Sequence, residues 1–194
     1  MQQTYQRAES GTLWLDTLLT HSFALLDPAV WRMLNSARRQ AAQAAGKSLE
    51  GDSYVMTSLH LLEEGEDPYG DAARDATGHL ALSLLAAAAD EPSFAQRLSA
   101  EERSAVQRLL DRRGTTATAP DRYQAIYTNY LGRIAPADRD LVLPSLMDRL
   151  ALVGTRDQLL ARIAALEEAG VDEIVIQPAI DPQTEMAALA ELTT

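Results

Sequence analysis

An Asp-Pro pair occurs three times in the chain, at residues 27–28, 67–68 and 181–182, and this pair restricts the fold more than any other feature. An aspartate can accept hydrogen bonds from the free amides at a helix start, and proline suits the first helical position. Each pair also follows a segment that has the pattern of a strand. The repeated order therefore predicts alternating strands and helices.

The three segments arrange their apolar residues differently, but each one predicts a β-strand. Residues 12–19 form a short apolar run with aromatic and Thr content, typical of a buried strand. Residues 54–62 and 171–177 alternate between an apolar and a more polar face, which is strand periodicity. Strands separated by helices favour parallel pairing with right-handed crossovers. We therefore expect an α/β protein with about three parallel strands and many helices.

Helix boundaries are marked clearly. Capping boxes occur at residues 99–102 and 155–158, where a Ser or Thr and a Glu or Gln can bind each other's backbone amides. Gly46, Gly114 and Gly170 stand where helices are expected to stop in a left-handed conformation. These signals predict one domain over residues 1–194, with a helical segment at about 91–150.

Composition excludes several classes of protein. The net charge of −11 argues against binding to nucleic acid or to anionic membranes. The absence of Cys excludes disulfides, iron–sulfur clusters and thiolate metal sites. The polar start lacks the apolar stretch of a signal peptide, and no apolar run is long enough to span a bilayer. We expect a cytoplasmic protein without a nucleic-acid or membrane partner.

The strongest resemblance to a known family lies near the end of the chain. Residues 151–159 read Ala-Leu-Val-Gly-Thr-Arg-Asp-Gln-Leu, and residues 166–178 read Leu-Glu-Glu-Ala-Gly-Val-Asp-Glu-Ile-Val-Ile-Gln-Pro. This order resembles the C-terminal end of the bacterial-luciferase-like oxidoreductases, flavin- or deazaflavin-dependent enzymes on a (β/α)₈ TIM barrel. Weaker similarity occurs at residues 9–12, 45–48 and 66–68. The resemblance implies the last three β/α units of such a barrel, with no counterpart of its first five strands.

The resemblance also implies a function. It identifies the chain as a truncated or partial luciferase-like oxidoreductase or monooxygenase, with FMN or a deazaflavin coenzyme as cofactor and a possible small-molecule substrate. In such barrels the active site lies at the carboxyl ends of the strands. His21 and His60 are then the catalytic candidates, and Ser58 and Gln177 the cofactor-binding candidates. The alternative for His21 is an exposed loop residue, and for His60 it is a core residue with a hydrogen-bond partner. The alternative for Gln177 is a polar cap of the barrel interior.

Other polar residues carry weaker predictions. Ser58 and His60 share a strand face, but no third group orients the His, which argues against a hydrolytic triad. His79 lies within a helix, where a structural role is expected. The acidic run 63–67 lacks calcium-loop spacing and predicts a solvated turn, so no metal site is assigned. The helix start at residues 154–155 could bind a phosphate, but we expect it on the face of the barrel opposite the active site.

Three strands with sequential crossovers would place all helices on one face of the sheet. The other face, which carries Tyr54, Met56, Ser58 and His60, would then have no cover. The helical segment at 99–150, a second copy, or a complementary half-barrel chain could supply it. We expect association, most simply a homodimer. The alternative function is a non-catalytic α/β protein, derived from this fold, that binds a partner or a small ligand.

Overall fold

The computed structural model describes residues 26–48, 52–116, 119–129 and 131–193. The predicted strand at 12–19 and the candidate His21 lie outside the described residues. The helices are α1 (Pro28–Ala44), α2 (Asp71–Asp90), α3 (Pro92–Ala95), α4 (Ala100–Arg113), α5 (Arg122–Ile126), a 3₁₀ helix (Pro136–Leu141), α6 (Pro144–Leu150), α7 (Arg156–Glu168) and α8 (Pro182–Thr193). The strands are β1 (Tyr54–Leu61), β2 (Ala151–Gly154) and β3 (Glu173–Ile176).

The described strands form an open, fully parallel sheet in the order β2-β1-β3. The two outer strands are staggered along the central one. β3 pairs with the first half of β1, from Tyr54 opposite Glu173 to Thr57 opposite Ile176. β2 pairs with the second half, from residue 58 to residue 61. Each half of β1 therefore has a hydrogen-bonded neighbour on one side only.

Helices cover both faces of this sheet. The chain steps from β1 to β2 in one direction and then passes back over β1 to reach β3. Right-handed crossovers in opposite directions place their helices on opposite faces. Leu59 and Leu152 accordingly pack in one apolar cluster with residues of α1, α7 and α8, whereas Val153 packs with the cluster of α2 to α6. The expectation of sequential crossovers with all helices on one face is therefore wrong.

Most predicted helix starts are confirmed. Asp27 Oδ1 accepts the N–H of Ala29 (2.8 Å) at the start of α1. Both capping boxes are present, with Glu102 Oε2 2.8 Å from the N–H of Ser99. The pair at residues 67–68 behaves differently, because Asp67 accepts the N–H of Tyr69 in a tight turn and α2 begins at residue 71.

Strand β2 was not predicted. Its four residues follow α6 directly and are too few to show a periodicity. They are extended because they pair with β1. This pairing is a tertiary interaction, and no local sequence signal predicts it. The predicted strands at 54–62 and 171–177 are confirmed as β1 and β3, with β3 shorter than expected.

Two glycines are required by close contacts. A Cβ on Gly78 in α2 would lie 2.7 Å from Val142 Cγ2, so the missing side chain lets α2 approach the segment after the 3₁₀ helix. Gly170 has a φ of +88°, and a Cβ there would lie 2.7 Å from Asn35 Nδ2. Asn35 donates to the carbonyls of both Ala169 (3.0 Å) and Gly170 (2.9 Å), which joins α1 to the end of α7.

The helices of the described residues include none that is both long and apolar enough to cross a membrane.

Candidate functional site at the carboxyl edge of the sheet

Ser58 forms a hydrogen bond with a histidine, but this histidine is not His60, its near neighbour in the sequence. Its Oγ lies 3.0 Å from Nε2 of His79, which α2 places over the centre of the sheet. Ser58 is fully buried, and His79 is 1% exposed. Burial lowers the pKa of His79 to about 4, against a smaller opposing effect of the Glu185 carboxylate. The ring is therefore neutral at pH 7.

A serine bonded to a neutral histidine has the arrangement of a nucleophile and its base. Here both side chains are sealed between α2 and β1, and His79 Nδ1 has no hydrogen-bond partner among the described residues. A third group that would orient the ring is therefore missing from this part of the chain. The geometry supports a structural role for His79 and argues against hydrolysis at Ser58.

His60 lies one alternation further along the same face, toward the carboxyl end of β1. Its Nε2 is 2.7 Å from Glu66 Oε1, and the two side chains are 20% and 22% exposed. Glu66 also accepts the N–H of Glu63 (3.0 Å). The Glu63 amide, more than the His60 ring, holds the pKa of Glu66 below its usual range. The acidic turn is thus anchored to His60 by Glu66, while Glu63 and Glu64 remain exposed.

Gln177 follows the last residue of β3 and lies beside Ser58. Its N–H donates to the carbonyl of Thr57 (2.8 Å), which continues the parallel pairing by one residue. Its Nε2 donates to the carbonyl of Leu131 (3.1 Å), in the loop after α5. Gln177 Oε1 is buried and has no partner among the described residues. One acceptor on this face is therefore buried without a partner in the described part of the chain.

The loop above Gln177 has an unusual backbone. Asn129 and Leu131 have φ values of +60° and +55°. This left-handed conformation is tolerated by Asn but is costly for a bulky residue such as Leu. The packing that holds it also presents the Leu131 carbonyl to Gln177.

The start of α7 lies at the same edge as His60. β2 is parallel to β1, Gly154 is opposite Leu61, and the N–H of Leu62 donates to the Gly154 carbonyl (3.0 Å). Helix α7 begins immediately afterwards, with Thr155 as its N-cap. The expectation that this helix start lies on the face of the barrel opposite the active site is therefore wrong, because α7 directly follows β2 and so begins at the carboxyl edge of the sheet.

The structure brings three of the four candidates to one face. Ser58, His60 and Gln177 lie on the side of the sheet covered by α2, and His21 lies outside the described residues. Sequence reasoning missed His79 and Glu66 as their partners. The described residues contain no group of three or more His, Asp and Glu side chains placed to hold a metal ion.

The chain matches no known protein-family model, and no curated protein sequence is significantly similar to it.

Proposed function

We propose that this chain is part of a luciferase-like oxidoreductase or monooxygenase that uses a flavin or deazaflavin cofactor. The observation that carries the proposal is that His60 and the start of α7 lie at the carboxyl edge of β1 and β2, while Gln177 directly follows β3 on the same face as His60. Ligands of open α/β sheets bind outside the carboxyl ends of the strands, where connections leave toward opposite faces. The β2–α7–β3 segment, which carries the family resemblance, supplies two of these three elements.

The residues at this edge suit such a cofactor in two respects. Gln177 Oε1 is a buried acceptor without a partner among the described residues, and a cofactor ring N–H that reached it would satisfy it. The first turn of α7 carries free backbone N–H groups and the positive end of the helix dipole, which favour a phosphate. A reduced flavin or deazaflavin would supply the hydride chemistry, and these side chains would orient its ring.

The proposed site needs a second surface. Tyr54 and Met56, on the same face but toward the amino end of β1, are 42% and 44% exposed. Helix α2 covers only the half of this face around Ser58. A second copy of the chain or a complementary half-barrel chain would cover the remainder.

The proposal is tested by titrating the full chain with FMN and, separately, with a deazaflavin coenzyme while cofactor fluorescence is followed. We expect saturable binding of one of them, weakened at least about tenfold in Gln177→Ala by loss of a buried hydrogen bond. Glu64→Gln, an exposed change in the acidic turn, is the matched control and should bind normally. Absence of binding at high micromolar cofactor would overturn the proposal.

One observation favours the alternative of a non-catalytic interaction or small-ligand-binding protein. Ser58 is completely sealed by α2, so the centre of the polar face is not open to a substrate. In that case the exposed side chains of Tyr54 and Met56 would form the surface that binds the partner or the small ligand. Size-exclusion chromatography with light scattering distinguishes the two: association without cofactor binding, abolished by Met56→Glu, supports the alternative.

A further inference from the structure

A groove of about 410 Å³ lies on the face of the sheet opposite the candidate site. Its floor is formed by Leu59 and Leu152, which are 2% and 1% exposed. Its walls come from α7, α8 and β3, chiefly from Ile163, Leu189 and Leu192. Pockets that hold small molecules usually measure about 300–1,000 Å³ and are lined mainly by apolar side chains. The groove therefore has the size and the interior of a site for one small apolar ligand.

The polar residues that line the groove all carry the same charge. Glu167 lies in the last turn of α7, and Asp172 and Glu173 lie at the start of β3, so these three carboxylates, the acidic rim, belong to the amino edge of the sheet. None of them forms an ion pair with a described residue. The lining is thus aliphatic, apart from negative charge at one end.

The carboxyl end of α7 adds to the negative potential of the acidic rim. A helix carries a partial negative charge at this end, which favours basic side chains and disfavours carboxylates, yet the last turn of α7 contains no basic residue. Arg38 of α1 donates to Asn35 Oδ1 (3.1 Å) and Ser53 Oγ (2.6 Å) instead of to a rim carboxylate. A cation bound at the rim would offset this charge.

An occupant of the groove must match both the interior and the acidic rim. An anionic amphiphile would be repelled by the carboxylates. A second copy of the chain would bring the same carboxylates to a two-fold interface, and each copy has a net charge of −11. We propose that the groove binds a small cationic amphiphile, with one aliphatic chain along Leu59 and Leu152 and an ammonium group at Glu167 and Glu173.

Calorimetric titration of the full chain with decylammonium chloride, below its micelle concentration, is the direct test. We expect one molecule bound per chain. Octylammonium should bind about 15-fold more weakly, because each buried CH₂ contributes about fourfold in affinity. Decanol should bind more weakly than decylammonium, and decanoate more weakly still. No saturable binding of decylammonium at high micromolar concentration, or equally tight binding of decanoate, would overturn the proposal.

Two variants with the same net charge test the acidic rim. Glu167→Gln/Glu173→Gln neutralises two exposed rim carboxylates and should weaken decylammonium binding at least about threefold, while decanol binding stays unchanged. Glu63→Gln/Glu64→Gln removes two exposed carboxylates of the acidic turn and is the matched control. Equal losses in both variants would mean attraction to the overall charge of the protein, and would contradict a site at the rim.

A third variant tests the aliphatic interior. Ile163→Trp places a larger side chain in the groove wall and should weaken the binding of decanol and decylammonium alike. Ile180→Trp, at a 39% exposed position outside the groove lining, is its control and should bind both normally. Unchanged affinity in a folded Ile163→Trp would exclude the groove as the site. If circular dichroism shows that Ile163→Trp does not fold, the exposed rim variants decide the question.

This inference does not depend on the proposed oxidoreductase function. Cofactor titration reports on the face that carries Gln177, whereas decylammonium binding reports on the opposite face. Failure of one measurement therefore leaves the other intact.

Discussion

The two faces of β1 are closed by different chemistry. On one face Val55 and Leu59 pack in an apolar cluster with Trp31 of α1 and with aliphatic side chains of α7 and α8. On the other face the cover changes along the strand: Met56 is exposed, Ser58 is sealed by a hydrogen bond to His79, and His60 is paired with Glu66. The first face requires only apolar side chains of suitable size, whereas the second requires a particular partner at each position.

The largest effect is expected on the aliphatic face. Leu59→Ala should lower the free energy of unfolding by about 2–5 kcal/mol, because it removes buried methyl groups and leaves a cavity. Met56→Ala, on the other face and 44% exposed, should change it by less than about 1 kcal/mol. Urea unfolding of both variants measures the difference, and equal losses would contradict the comparison.

The second prediction concerns acid sensitivity on the polar face. His79 has a pKa of about 4 in the fold and an ordinary value of 6.5 when unfolded. Between these pH values the unfolded chain binds a proton that the folded chain does not, so stability falls as pH falls, by about 3 kcal/mol in total. His79→Leu should lose less stability than the parent between pH 6.5 and 4. Parallel pH profiles for the two proteins would refute a buried neutral His79.

A smaller loss is expected when Ser58 alone is changed. Ser58→Ala leaves His79 Nε2 buried without a partner, which should cost about 1–3 kcal/mol at pH 7. The double variant Ser58→Ala/His79→Leu removes both polar groups and should be more stable than the sum of the single changes predicts. Strict additivity in this double-mutant cycle would mean that the Ser58–His79 bond contributes nothing.

The smallest effect is expected at the carboxyl end of the polar face. Glu66→Gln removes the carboxylate that bonds the Glu63 amide and His60, in a partly exposed position, and should cost less than about 1 kcal/mol at pH 7. Because the pKa of Glu66 is lowered in the fold, its contribution is present above the ordinary Glu pKa and is lost as pH falls through the folded value. The parent and variant should therefore converge in stability in acid.

Local signals predicted the elements better than their arrangement. Asp27, the two capping boxes and the alternation in residues 54–62 identify α1, α4, α7 and β1, because each signal acts within a few residues. β2 escaped prediction because its conformation comes from pairing with β1. Because β2 was not predicted, the reversal of crossover direction was not predicted either. The position of the α7 start was wrong for the same reason.

The candidate site shows the same limit. The alternation of β1 correctly placed Ser58 and His60 on one face. Neither the His79 partner of Ser58 nor the Leu131 partner of Gln177 has a sequence signal, because both depend on how α2 and the loop after α5 pack on the sheet. The pair of His60 with Glu66 spans only six residues, and an acidic turn directly after a strand-end His could have indicated it.

The central position of β1 has a consequence for the order of events during synthesis. Both of its described strand partners are encoded far downstream, so β1 leaves the ribosome well before β2 and β3 exist. Until then β1 has no strand partner among the described residues, and of the apolar cluster around Val55 and Leu59 only Leu26 and Trp31 have been made, a state that invites pairing with other nascent chains. The apolar helix α2, made next, covers the Ser58 side first, so the Leu59 side waits longest for its cover, which comes from α7 and α8.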